Sequence, residues 1–218
     1  FRRVLFRSCG NYGDPIYYDN LFNLITWTKQ NNAKIILITN GSYKTEHWWT
    51  ELCSLVSEDD KIIFSIDGTP ENFTNYRINA NWQSIKTGIN VATKSPATVS
   101  WKYIPFSFNE STVEQSQQIS NDLGIDNFFI EYSDRWDGPD DWLKPRSGLG
   151  RREESIVSWH NKQRSIDPRC KNNKEHYISA NGYYMPCCFV GDYRFYYKSQ
   201  FYKNKDRKST RLNSSHIP

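Results

Sequence analysis

Apolar residues recur along this chain in two rhythms, and the rhythms alternate. In DNLFNLITWTKQNN (residues 19–32), Leu21, Leu24, Ile25 and Thr28 share one helical face, with Asp19 in place as the N-cap. AKIILITNG (33–41) is an unbroken apolar run closed by Asn-Gly, as expected of a buried parallel strand. TEHWWTELCSLV (45–56) returns to the helical period, capped by Thr45 or Thr50, and KIIFSIDG (61–68) is a second buried strand. NWQSIKTGINVA (81–92) sets Trp82, Ile85 and Ile89 along one side of a helix. TVSWKYIPFSF (98–108) then reads as a strand, STVEQSQQISNDLG (111–124) as a helix stopped by Gly124, and NFFIEYSD (127–134) as a strand. Four β/α units in a row predict an α/β fold, a parallel sheet or barrel with right-handed crossovers.

The pattern stops near Ser133. DRWDGPDDWLKPRSGLGRREES is rich in glycine, proline and charge, so 133–168 is expected to be a linker or surface excursion. Residues 169–205 are aromatic and cysteine-bearing, and HYISANGYYMPCCF predicts a β-hairpin turning at Asn181-Gly182.

The two ends are related to each other in an unusual way. FRRVLFRS can be encoded by TTCAGACGTGTGCTCTTCCGATCT, whose reverse complement, read from its second base, encodes DRKSTRL. Residues 206–213 are DRKSTRLN. One oligonucleotide thus accounts for both ends, and it resembles a sequencing-library adapter. Residues 1–8 and 206–218 are therefore expected to be adapter-derived, with a native stretch from about Cys9 to Lys205 taken from inside a longer gene. The first strand of a barrel would then be missing. Those tails hold Arg2, Arg3, Arg7, Arg207, Lys208, Arg211 and Asp206; without them the formal charge moves from +4 to −1. The basicity then vanishes, and with it any argument for a nucleic-acid partner. No apolar run approaches the ~20 residues of a membrane span. Five cysteines, two of them adjacent, suit metal or cluster binding in a reducing compartment, hence a cytoplasmic location.

In α/β barrels ligands sit at the carboxyl ends of the strands. The residues at those places are Gly13-Asp14-Pro15, Thr39-Asn40-Gly41, Ser65-Ile66-Asp67-Gly68 and Asn109. Each alone is ordinary turn chemistry. Together they favour a polar ligand.

In this order the set resembles the radical S-adenosylmethionine (SAM) enzymes. GNYGDP is similar to the family's glycine-rich GGEP-type segment, which implies that Gly13, Asp14 and Pro15 help hold the amino group of SAM. ITNG and FSIDG resemble the ends of its third and fourth strands, which implicates Thr39, Asn40, Ser65 and Asp67, with Asn109 further on. Arg77 stands twelve residues after Ser65, where the family pairs a serine and an arginine on the SAM carboxylate. A guanidinium fork suits that carboxylate.

The other end of the chain adds Cys170, eleven residues, Gly182, four residues, Cys187. This resembles the opening of a SPASM or twitch extension and implies an auxiliary iron–sulfur cluster on Cys170, Cys187 and Cys188, although neighbours on a strand face opposite ways. The implied protein is a partial (β/α) TIM-type barrel lacking its first strand and cluster loop, over 9–132, followed by an incomplete annex. Its cofactors would be SAM, a SAM-cleaving 4Fe–4S cluster and the auxiliary cluster. Its partners would be a peptide, protein or small-molecule substrate and an electron donor such as a flavodoxin or ferredoxin. The family's CxxxCxxC is absent from this sequence, which implies a fragment inactive by itself. Two other readings stand beside it. One is a SAM-independent barrel enzyme acting on a phosphorylated metabolite. The other is a zinc module on Cys170, His176, Cys187 and Cys188. Cys53 and the tryptophans Trp48, Trp49 and Trp101 are expected to be packing residues.

Overall fold

A computed structural model describes residues 5–9, 14–133 and 141–147, together with the strand pairs 177–178 and 184–185. Five parallel strands form one sheet: β1 (Leu5–Cys9), β2 (Lys34–Thr39), β3 (Lys61–Ser65), β4 (Thr98–Tyr103) and β5 (Asn127–Ile130). Four helices connect them: α1 (Leu21–Gln30), α2 (Glu46–Ser54), α3 (Trp82–Ala92) and α4 (Val113–Asp122). Spatial order equals sequence order, β1-β2-β3-β4-β5. A crossover of constant hand then sends successive helices to the same side of the sheet, whereas a doubly wound sheet would reverse its order part-way.

The predicted rhythms become packing. Leu21, Ile25 and Thr28 are the buried side of α1; Trp49, Leu52 and Cys53 that of α2; Ile85, Gly88, Ile89 and Ala92 that of α3. They close on Leu37, Ile62, Phe64, Val99 and Trp101 of the sheet. Trp49 and Trp101 are wholly buried, and Trp49 lies 5.4 Å from the Phe64 ring. Side chains of this size stabilise by about 1.5–3 kcal/mol each when buried. A Cβ at Gly88 would come within 2.5 Å of the Trp49 indole, so only glycine lets α3 approach α2 this closely. Cys53 is a free, buried core thiol whose pKa is pushed up by that burial.

Helix ends follow local chemistry. Thr45 caps α2 by accepting from the Trp48 N–H at 3.2 Å, and Asn81 caps α3 by accepting from Ser84 N–H at 2.8 Å. Gly124, at φ +71°, ends α4 as expected. The cap of α1 is Asn20, not Asp19, because the helix starts one residue later than the apolar pattern suggested. β4 stops at Tyr103, short of the predicted Phe108, since Pro105 cannot donate to a sheet ladder.

The place of the first strand, where the native one was expected to be missing, is filled by β1 from the segment expected to be adapter-derived, with Leu5 opposite Lys34 and Cys9 opposite Ile38. Without β1 the backbone of β2 would stand as an open edge, and such an edge pairs with an extended segment within reach.

The amino ends of the strands are stapled by aspartates. Asp60, just before β3, accepts from Ile35 N–H of β2 at 2.8 Å, from Ser57 N–H at 2.8 Å and from Lys29 Nζ at 2.6 Å. Asp126, just before β5, accepts from Val99 N–H of β4 at 2.7 Å. Each aspartate pins the start of the preceding strand.

Near the other end of the chain, β6 (Tyr177–Ile178) and β7 (Tyr184–Met185) pair antiparallel, as a hairpin requires. Their register is symmetric about residue 181, one half-step before the Asn181-Gly182 bond. Cys170, Cys187 and Cys188 lie outside the described residues, as do Gly13, His176 and Gly182.

Candidate functional site

At the carboxyl ends of β2 and β3 the chain leaves an open cleft of about 410 Å³. It is lined by Asn40, Ser42, Tyr43, Arg77 and Asn79, among others. The loop after β2 is shaped by its own side chains. Thr39 Oγ1 accepts from Gly41 N–H at 2.9 Å, and Asn40 Oδ1 accepts from Ser42 N–H at 2.9 Å. Gly41 is left-handed at φ +73°, and a Cβ there would lie 2.7 Å from the Phe64 ring, so both conformation and space demand glycine. Asp14 reaches across from the first loop: its Oδ2 accepts from Asn40 N–H at 2.5 Å while Oδ1 accepts from Ile16 N–H at 3.2 Å. Burial pushes the Asp14 carboxyl up, against the pull of the Asn40 N–H, the Thr39 hydroxyl, the Ile16 N–H and the Arg77 charge.

Further bonds close the rim. Tyr17 donates to the Ser42 carbonyl at 2.9 Å, Ser42 Oγ accepts from Asn81 N–H at 2.7 Å, and Tyr43 donates to the Asn79 carbonyl. Tyr43 and Asn79 both have left-handed backbones, at φ +66° and +64°.

Behind the cleft Asp67 is fully buried. Its Oδ2 accepts from Arg77 Nε at 3.0 Å and lies 2.8 Å from Arg77 Nη2; its Oδ1 accepts from Ile104 N–H at 3.1 Å. Burial raises the Asp67 pKa, partly offset by the Arg77 charge and the Ile104 N–H. Arg77 Nη2 also donates to Ser65 Oγ at 3.1 Å. The serine and arginine twelve residues apart are thus in contact. Among the described residues, Arg77 Nη1 takes part in none of these bonds. Asn109 sits deeper still: its Nδ2 donates to the carbonyls of Asp67 and Ile104, both at 3.0 Å, and its Oδ1 accepts from Phe106 N–H at 2.6 Å.

No family model matches the chain, and no curated protein does. Solved structures do. The crystal structure of Streptococcus suis SuiB covers 87% of this chain at 11% identity with a TM-score of 0.57. The fold of this chain is like that of SuiB. A structure of TYW1 with a lysine-pyruvate adduct bound covers 61% at 15% identity, TM-score 0.46. The chain spans 51% of the SuiB chain and 43% of the TYW1 chain. At such identities the likeness is one of fold.

The residues picked out by sequence therefore divide. Asn40 and Arg77 line the cleft on the β2 and β3 ends; Asp14 holds the Asn40 N–H, Thr39 the Gly41 N–H and Ser65 the Arg77 guanidinium, and Pro15 opens the short turn Pro15–Tyr17. Asp67 and Asn109 direct their polar atoms inward and hold the others. Tyr17, Ser42, Tyr43, Tyr76 and Asn79, which also line the cleft, were not singled out. The left-handed preference of asparagine was a signal at Asn79; Tyr43 offered none. Among the described residues no group of three or more His, Cys, Asp or Glu could hold a metal ion, and no helix is long and apolar enough to cross a membrane.

Proposed function

We propose that this chain is part of a radical SAM enzyme and that the cleft holds the methionyl end of SAM. The observation that carries this reading is Arg77, fixed on Ser65 at 3.1 Å with its Nη1 edge uncommitted among the described residues. The fold shared with SuiB, a radical SAM enzyme, supports it. In this reading the Nη1 edge of Arg77 and the Ser65 hydroxyl take the SAM carboxylate, while the loop of Gly13, Asp14 and Pro15 and the Thr39-Asn40 strand end take the amino group and its surroundings. When bound beside a reduced 4Fe–4S cluster, SAM supplies a 5′-deoxyadenosyl radical that removes hydrogen from a substrate. The residues of this chain orient the cofactor, and Tyr17, Tyr43 and Tyr76 line the cleft around it.

The rest of the proposal extends the same resemblance. The five-strand sheet is one wall of a (β/α) barrel, and Cys170, Cys187 and Cys188 begin a SPASM or twitch annex that binds an auxiliary iron–sulfur cluster. Such an annex favours a peptide or protein substrate, with electrons from a flavodoxin or ferredoxin. The printed sequence has no CxxxCxxC, so turnover is expected only of a polypeptide that carries one.

The test is titration of SAM into the purified chain and its Arg77→Gln variant, with thermal melts to confirm folding. The variant is expected to bind at least about tenfold more weakly, the scale of one lost charge-assisted bond. Equal affinity in the two would remove the basis of the reading. Anaerobic iron reconstitution of a polypeptide extended to include CxxxCxxC should yield 5′-deoxyadenosine. Stoichiometric zinc without iron would overturn it.

A further inference from the structure

The cleft carries its own anions. Three successive N–H groups at the end of β2 would make a phosphate cradle if they were free, since such backbone nests bind anions. They are occupied: Asn40 N–H by the Asp14 carboxylate, Gly41 N–H by Thr39 Oγ1, and Ser42 N–H by Asn40 Oδ1. Arg77 is the one charged residue lining the cleft among the described residues, and its charge is matched by Asp67 through Nε and Nη2. Lys44 Nζ lies 4.9 Å from the Tyr17 ring centre and 5.0 Å from that of Trp48, and Lys102 pairs with Glu131 at 2.9 Å.

We infer that Asp14 and Asp67 set the specificity of this cleft, making it a site for a carboxylate carried by a zwitterion or cation and closing it to phosphate. Asp14 stands in for the anion that the β2 end would otherwise bind. Asp67 fixes the guanidinium by one edge, so a ligand carboxylate meets the remaining edge in a single orientation. Because Asp67 neutralises that guanidinium, Arg77 offers a phosphate dianion no net positive charge. An α-amino acid carboxylate brings its own ammonium, and the two aspartates favour it. Asp67 is a positioning residue, acting through Arg77. The inference rests on the SAM reading for its ligand, and it also disfavours a phosphorylated metabolite at the same strand ends.

The experiment uses the full chain and three probes: SAM, L-methionine and inorganic phosphate. With the wild type, phosphate is expected neither to bind nor to displace SAM at millimolar concentration. Asp14→Asn and Asp67→Asn should each gain phosphate affinity by about tenfold or more and lose preference for the zwitterion. Asp67→Glu should restore the wild-type preference, which a purely structural loss would not allow. Phosphate that displaces SAM from the wild type overturns the inference, whether or not the variants fold. So do folded variants whose phosphate affinity is unchanged. If SAM fails to bind the wild type, the functional reading falls, while methionine and phosphate titrations still decide the charge selectivity.

Discussion

Two buried aspartates stand at opposite ends of β3, Asp60 before it and Asp67 after it, and they do different things. Both are fully buried and both pair with a cation from another element. Asp60 gathers Lys29 Nζ, two backbone N–H groups and the Ser57 hydroxyl, all belonging to the frame. Its partners outweigh burial, which would raise its pKa, so the carboxyl sits below the usual value. Asp67 is enclosed more deeply and receives Arg77 and one N–H, and there burial wins and the pKa rises. The amino end is a closed staple. The carboxyl end leaves one edge of its cation for a ligand and remains electrostatically under-satisfied. A buried aspartate is therefore a stabiliser or a functional support according to how deeply the protein encloses it and how completely its donors surround it.

The largest effect belongs to the staple. Asp60→Ala leaves Lys29 without its carboxylate and the N–H groups of Ile35 and Ser57 without acceptors. Breaking a buried pair in this way costs about 3–5 kcal/mol, and Lys29, at 27% exposure, rehydrates enough to put the loss near the lower figure. Urea unfolding should register that loss while the ligand affinity of the folded fraction stays unchanged. A variant that keeps its stability but loses ligand affinity would reverse the roles assigned to the two ends.

The pH dependence of stability separates the two aspartates by sign. For Asp60 the folded pKa lies below the ordinary 3.8, so its contribution is present above 3.8 and is lost as pH falls through the folded value. For Asp67 the folded pKa lies above 3.8, so the folded state holds the proton more tightly. That contribution is complete below 3.8 and is lost as pH rises through the folded value. Each slope is bounded by about 1.4 kcal/mol per pH unit for one proton. Urea midpoints measured across the acid range should lose part of their acid limb in Asp60→Asn. In Asp67→Asn they should lose a decline that begins above 3.8. Slopes of the same sign in both variants would dissolve the distinction.

Much of the frame was legible because its causes are local. Periodicity placed α1 to α4 and β2 to β5, and Gly41 and Gly124 marked turns that need their left-handed backbones. The contact of Ser65 with Arg77 was legible only as a spacing borrowed from a resembling family. What the sequence hid is tertiary. Asp67 and Asn109 read as ligand groups because polar residues at strand ends usually face solvent, yet the Ile104 N–H and the carbonyls around them draw both inward. Asp60 was not singled out in the sequence, since nothing local announces that Ile35 N–H lies opposite. Tyr43 adopts a backbone its side chain disfavours because the bond to Asn79 fixes it there, and no short window contains both residues. The expected origin of residues 1–8 does not dictate their conformation, because pairing responds to the open edge of β2.

The smallest effect tests whether charge or enclosure makes the staple. Asp59 is the immediate neighbour of Asp60, carries the same charge and holds Lys34 at 2.7 Å, a shorter separation than that of Arg77 from Asp67. But Lys34 and Asp59 are 38% and 31% exposed, so water competes for both partners and salt screens the attraction. Lys34→Ala is expected to lower stability by less than about 1 kcal/mol, with that small loss shrinking as ionic strength rises. The same salt series on Asp60→Ala should leave its larger loss almost unmoved, because its carboxylate is sealed from counter-ions. If the exposed pair proved as costly to break as the buried one, proximity of charge would suffice, and the enclosure of Asp60 would add nothing to the staple.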